Sequence, residues 1–169
     1  MAIILNNGMP YSVAEFSPDR RYRYTLWRQW DSSKPHCQFI GLNPSTADEV
    51  TDDPTVRRCI GYAKAWGYGA LCMTNIFAFR ATDPKVMKAQ ANPEGDANDY
   101  WLREIAMFAG IIVCAWGGHG AHRKRHVEVR RVLRQHDLHL LARTKTGAPA
   151  HPLYLRKLLL PQVYMRKET

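Results

Sequence analysis

Long apolar runs are missing from this chain, and so are paired cysteines. No stretch of the 169 residues approaches the roughly 20 apolar positions needed to cross a bilayer, which argues against a helical membrane protein. Residues 1–10 lack a basic segment followed by a long apolar core, so no secretory signal is expected. The four cysteines, Cys37, Cys59, Cys72 and Cys114, contain no C-x-x-C pair. Neither disulfides nor zinc is suggested, no cofactor is implied, and a reducing, cytoplasmic setting fits best. There is no internal repeat, low-complexity tract or Gly/Ser linker. Acidic side chains are scarce: 15 Asp+Glu face 24 Lys+Arg, a net charge of +9 that favours polyanionic partners. What is present is globular chemistry, with 46% hydrophobic and 11% aromatic residues. A chain of this length forms one domain that buries roughly two thirds of its unfolded surface.

Two parts of that domain read differently. In residues 1–35, the run Arg21–Trp30 alternates basic with aromatic or apolar side chains, the period-two signal of an exposed antiparallel strand or hairpin. From 36 to 169 the pattern is strand, loop, helix, repeated. Gln38–Leu42 is a buried strand, Asp53-Pro54 caps a helix carrying Val56, Ile60, Ala63 and Trp66 inward, and Ala70–Asn75 is a second strand. A long polar loop (79–97) precedes a helix with Leu102, Ile105, Ala106 and Ala109 on one face. Ile111–Trp116 is the third strand, 121–136 a basic helix with Val129, Val132 and Leu133 inward, and Leu138–Ala142 the fourth strand. His151-Pro152 opens a final helix with Leu153, Leu155 and Leu158 to Leu160. The expected fold is a three-layer α/β/α sandwich with a central four-stranded parallel sheet and an N-terminal antiparallel strand or hairpin.

Ligands of open parallel sheets bind beyond the carboxyl ends of the strands. Those ends deliver Asn43 and Ser45, then Asn75, then Trp116-Gly117, then His151. Asn43 and His151 each precede a proline, which biases them toward extended backbone. Taken singly, each of these residues could be a turn cap or surface group; their joint arrival at one edge is what marks a site. His119, His122 and His126 sit among Arg123, Lys124 and Arg125, and read as a solvated basic face rather than a metal site. Asp48, Asp52 and Asp53 could hold a divalent cation, though helix capping accounts for Asp53 without one.

The spaced motifs resemble those of a known superfamily. Gly41-Leu42-Asn43-Pro44-Ser45 is similar to the first motif of the uracil-DNA glycosylase superfamily. Met73-Thr74-Asn75-Ile76 with Arg80 resembles its second strand, Ala115-Trp116-Gly117 its third strand end, and His151-Pro152 the start of its last loop. The runs at 43–48, 53–55, 80–84 and 151–154 resemble the DUF1643 family in greater detail. Leu153 and Tyr154 stand where the superfamily usually has a small Ser, which puts penetration of a duplex in doubt, and the cysteine spacing does not match its iron–sulfur set.

The superfamily resemblance implies cleavage of an N-glycosidic bond. In it, His151 donates to a base oxygen as charge grows there, Asn43 orients water, and Asn75 reads a base edge. Leu42, Pro44, Ser45, Arg80, Trp116 and Gly117 line the substrate site, and Phe77 or Tyr62 is the stacking platform. Expected DNA contacts are Arg21, Arg23, Arg57, Arg58, Arg123, Lys124 and Arg125, each cluster having a merely solubilising role as its alternative. The partner would be DNA, single-stranded or with an extruded base, or a free nucleotide, bound by a monomer with no membrane attachment. Two other readings stay open: a modified-base or nucleotide-binding module without hydrolysis, and another nucleotide-processing enzyme, for example in phage base modification.

Overall fold

The computed structural model describes residues 11–168. Residues 1–10, read above as carrying no secretory signal, lie outside that range. The first two strands, β1 (Tyr11–Phe16) and β2 (Arg23–Gln29), form an antiparallel hairpin. Then come β3 (His36–Gly41), α1 (Pro54–Ala65), β4 (Ala70–Asn75), α2 (Pro84–Lys88) and α3 (Asn98–Met107). The chain continues with β5 (Ala109–Cys114), α4 (Arg125–Val132), β6 (Leu138–Leu140) and β7 (Gln162–Met165). The result is a mixed α/β fold on one seven-stranded sheet, in the order β1-β2-β4-β3-β5-β6-β7. Its centre is parallel, β3 pairing with both β4 and β5, and β5 with β6. Antiparallel pairs close both sides, β2 on β4 and β7 on β6.

Alternation along the strands sends side chains to two apolar clusters. Cys37 and Phe39 join Val56, Cys59, Tyr62 and Ala63 of α1 on one face. Ile40, Ile112 and Cys114 join Leu102 and Ala106 of α3 and Val129 of α4 on the other. The α1 cap is as expected: the Asp53 carboxylate accepts from Val56 N at 2.8 Å and Pro54 stands in the first turn. Its buried stripe is rotated from expectation, because Cys59 and Tyr62 are inside while Ile60 and Trp66 are only partly covered.

Four local expectations are corrected. The basic–aromatic alternation of residues 21–30 does not make an exposed strand: β2 lies between β1 and β4 and is buried along nearly its whole length. The basic helix is broken, because Arg123 (φ 51°) and Lys124 (φ 56°) both take left-handed backbone between a 3₁₀ segment, Gly118–Lys124, and α4. The polar loop of 79–97 contains the short helix α2. The final helix does not form. Pro152–Tyr154 makes one 3₁₀ turn, Leu158 and Leu160 are exposed, and the chain then pairs as β7 with the edge of β6. Pro161 stops any helix ahead of it, and an unpaired β6 edge offers a ladder to the residues that follow.

Two polar side chains fix the turn that follows β4. Asn98 Nδ2 donates to the carbonyls of Asn75 (2.9 Å) and Ile76 (3.1 Å). The buried Arg125 donates through Nε to Ile76 O at 2.8 Å and pairs with Asp99. Arg125 is therefore structural, and its expected role as a DNA contact is withdrawn. The Arg125→Met variant is expected to lose about 2 kcal/mol in urea denaturation, less than the ~3–5 kcal/mol of a fully buried pair because Asp99 is partly exposed and can turn to water. The exposed Arg131→Met should stay within roughly 0.5 kcal/mol of wild type. Equal stability for both variants would contradict this assignment.

Candidate functional site

The loop after β3 is held to the loop after β4 by backbone bonds. Ile76 N donates to Gly41 O (2.9 Å), Phe77 N to Leu42 O (2.9 Å) and Ala81 N to Pro44 O (2.9 Å). Asn43 reinforces the junction, its Nδ2 donating to Ala81 O at 2.7 Å and to Pro44 O at 3.0 Å. The carboxamide oxygen of Asn43 is thus the atom left to face a ligand or water. Gly41 is required for a different reason: a Cβ there would lie 2.8 Å from Asn75 Oδ1. Asn75 is buried, and its Nδ2 has no hydrogen-bond partner. An orphaned buried amide donor costs roughly 1–3 kcal/mol unless something fills its shell.

Beyond β5, Gly117 adopts φ 68° and ψ −173°, a conformation that effectively requires glycine. Its N–H donates to Pro149 O at 2.8 Å, joining this strand end to the loop that leads into His151. The His151 Nδ1 accepts from Leu153 N at 3.3 Å and caps the 3₁₀ turn. With Nδ1 as acceptor, the neutral ring carries its proton on Nε2 and can donate from there.

Leu42, Asn43, Ser45, Asn75, Trp116, Gly117 and His151 all line one cavity of about 640 Å³ at the carboxyl ends of the parallel strands. Pro44 does not line it and serves through its carbonyl. Phe77 and Tyr62 are fully buried in the two apolar clusters, so neither is the stacking platform. The aromatic surface of the cavity comes instead from Tyr154, which is 85% exposed; Trp116 lines the wall but its ring is buried in the core. Arg80 lies outside the cavity, in a groove of about 510 Å³ with Arg20 and Arg21. That groove meets the cavity at Ser45, Ala81 and Thr82.

The remaining basic candidates scatter. Arg57 and Arg58 flank a separate depression with Leu153 and Lys157, and Arg58 Nη2 donates to Leu153 O at 3.3 Å. Arg123 braces the chain before α3, donating to the carbonyls of Ala91 (3.0 Å) and Gln90 (3.1 Å). Lys124 is exposed at the break before α4. Arg23 is 2% exposed and donates to Ala47 O, so it is no surface contact for DNA. It lines the cavity instead, together with Asp53 and His119, which the sequence reading gave to other roles, and Thr55, to which it gave none. The Nδ1 of His119 sits 3.0 Å from Lys88 Nζ. The Asp53-Pro54-Thr55 run carried a signal, but it was absorbed by helix capping. Among the described residues no group of His, Cys, Asp and Glu is placed to hold a metal ion, and all four cysteines are free and buried.

Burial lowers the His151 pKa from its ordinary 6.5, and the Asp53 carboxylate pulls it part of the way back. Because the folded value lies below the unfolded one, the stability held by the neutral ring is complete above 6.5 and is lost as pH falls through the folded value. A proton NMR titration should give His151 a midpoint below 6.5, and Asp53→Asn should lower it further. A midpoint at or above that of a free histidine would show the ring to be solvated or ion-paired.

Residues 23–153 match the family described as "Protein of unknown function (DUF1643)". No curated protein and no solved structure matches the chain, so these comparisons do not join it to the uracil-DNA glycosylase superfamily. The matched span takes in β2 through the His151–Leu153 turn, and with it every strand end that builds the cavity; the chain belongs to the DUF1643 family.

Proposed function

We propose that the cavity receives a nucleobase, and that the protein is a base-recognising hydrolase of DNA-glycosylase type acting on a uracil-like or modified base. One observation carries this reading: Asn43, Asn75, Trp116-Gly117 and His151, from four separate strand ends, line a single cavity. Breaking an N-glycosidic bond leaves negative charge on the departing base. A neutral His151 supplies an Nε2–H donor to a base oxygen without having to lose a proton first. The unpartnered Asn75 Nδ2 donates to an acceptor on the base edge, while Tyr154 offers ring surface. Asn43 presents only its carboxamide oxygen, which can orient water but cannot take its proton. Leaving-group stabilisation then carries the chemistry, and turnover is slow. The groove of Arg20, Arg21 and Arg80 adjoining at Ser45 and Thr82 is suited to the backbone phosphates of a DNA strand.

The reading as a nucleotide or modified-base binding module without hydrolysis is favoured by a specific observation. Both bonds donated by Asn43 go to backbone carbonyls, as in a purely structural asparagine. Single-stranded oligonucleotides bearing varied bases, incubated with protein and then cleaved with alkali at abasic sites, separate the two. Hydrolysis predicts strand breaks at one base, reduced about 10²–10³-fold by His151→Ala. Binding of the base with no abasic product establishes the binding module.

A further inference from the structure

Among the described residues, Arg23 is the most deeply buried arginine and it is poorly satisfied. It is 2% exposed, and its side chain makes one protein hydrogen bond, from Nη1 to Ala47 O at 2.6 Å. Its Nε is buried without a partner. Arg28 and Arg20 are paired at 2.8 Å, with Asp52 and Glu49 respectively; among the described residues no carboxylate lies within ion-pair distance of Arg23. Burial pulls the guanidinium down to about 10, so it remains charged at neutral pH. Asp53, whose charge is felt by Arg23, caps α1 through Oδ1 on Val56 N and forms no ion pair with the guanidinium. A buried cation without a counter-ion is strongly unfavourable, and a fold that keeps one on a cavity wall leaves a place for an anion.

Other features of the same cavity agree. Asn75 offers a second orphaned buried donor. Thr55 stands in the first turn of the 12-residue α1, where Pro54 has no N–H and the Val56 N–H is already taken, so the Thr55 amide is the donor that remains. Asp53 is the one acidic residue on the cavity wall, and it offsets part of the positive field.

We infer that the cavity is built for a ligand bearing an oxyanion, a carboxylate or phosphate, which Arg23 binds by charge-assisted hydrogen bonds beside the Asn75 amide. The inference rests on the cavity as the ligand site of the proposed function, but it does not require any bond to be cleaved. Its failure is therefore distinct from a failure to release a base.

Binding of four probes to the full chain by calorimetry tests it. Orotate is compared with uracil, which isolates a carboxylate on the ring. Uridine 5′-monophosphate is compared with uridine, which isolates a phosphate. At least one anionic probe should bind about tenfold or more tightly than its neutral match, the scale of one charge-assisted hydrogen bond. Arg23→Gln should bring that pair to within about twofold, and Arg23→Lys should keep part of the preference. Should Arg23→Gln fail to fold, Asn75→Asp, which leaves the Ala47 bond intact and sets a carboxylate in the cavity, should abolish the preference. Equal binding within both pairs, or a preference that survives both Arg23→Gln and Asn75→Asp, would overturn the inference.

Discussion

Everything at the candidate site depends on β3 being flanked in parallel on both sides. Its Phe39 lies opposite Met73 of β4 and Val113 of β5, so the three strands run out at the same level. Parallel strands leave their connections to diverge at the carboxyl ends, and here those connections are tied back together. Gly41 O and Leu42 O accept from Ile76 N and Phe77 N, and Gly117 N donates to Pro149 O. The cavity is the space left between them. Its walls are set mainly by backbone bonds, and the side chains that face it are free to be chosen for binding.

The positive charge has been divided by the fold into two kinds of work. Arg125 in the interior and Arg123 at the surface are both committed to the fold, bridging the carbonyls of Ile76, Gln90 and Ala91. Arg28 likewise holds Asp52 and the Asp48 carbonyl. Arg21 and Arg80, by contrast, border the groove that joins the cavity, and Arg23 reaches the cavity wall itself. Net charge alone therefore overstates the basic surface available to a polyanion.

The parallel centre of the sheet was legible because buried strands such as Ile111–Trp116 are short, apolar and closed by Gly or Asn. Asp53-Pro54 was legible because a cap is a local device. What escaped the sequence was set by tertiary contact. The leucines at 155–160 have helical spacing, but the exposed edge of β6 recruits the following residues as β7. The alternation of residues 21–30 read as an exposed strand because nothing in it reports that β1 covers one edge of β2 while β4 takes the other. The same burial turns Arg23 from a surface arginine into a cavity residue. Phe77 and Tyr62 failed as platforms for a related reason: one beside the end of β4 and the other on the inner face of α1, both rings had the core available and went there.

The central claim is that the strand-end cavity, and no other part of the surface, receives the ligand. Nitrogen-15 NMR of the labelled protein, titrated with uridine 5′-monophosphate, tests it most directly. The Asn75 side-chain amide and the Gly117 and Thr55 backbone amides should shift together and saturate at one ligand concentration, with Arg57 and Arg58 unmoved. Shifts confined to Arg57, Arg58 and Leu153, with Asn75 unchanged, would place binding elsewhere and contradict the account.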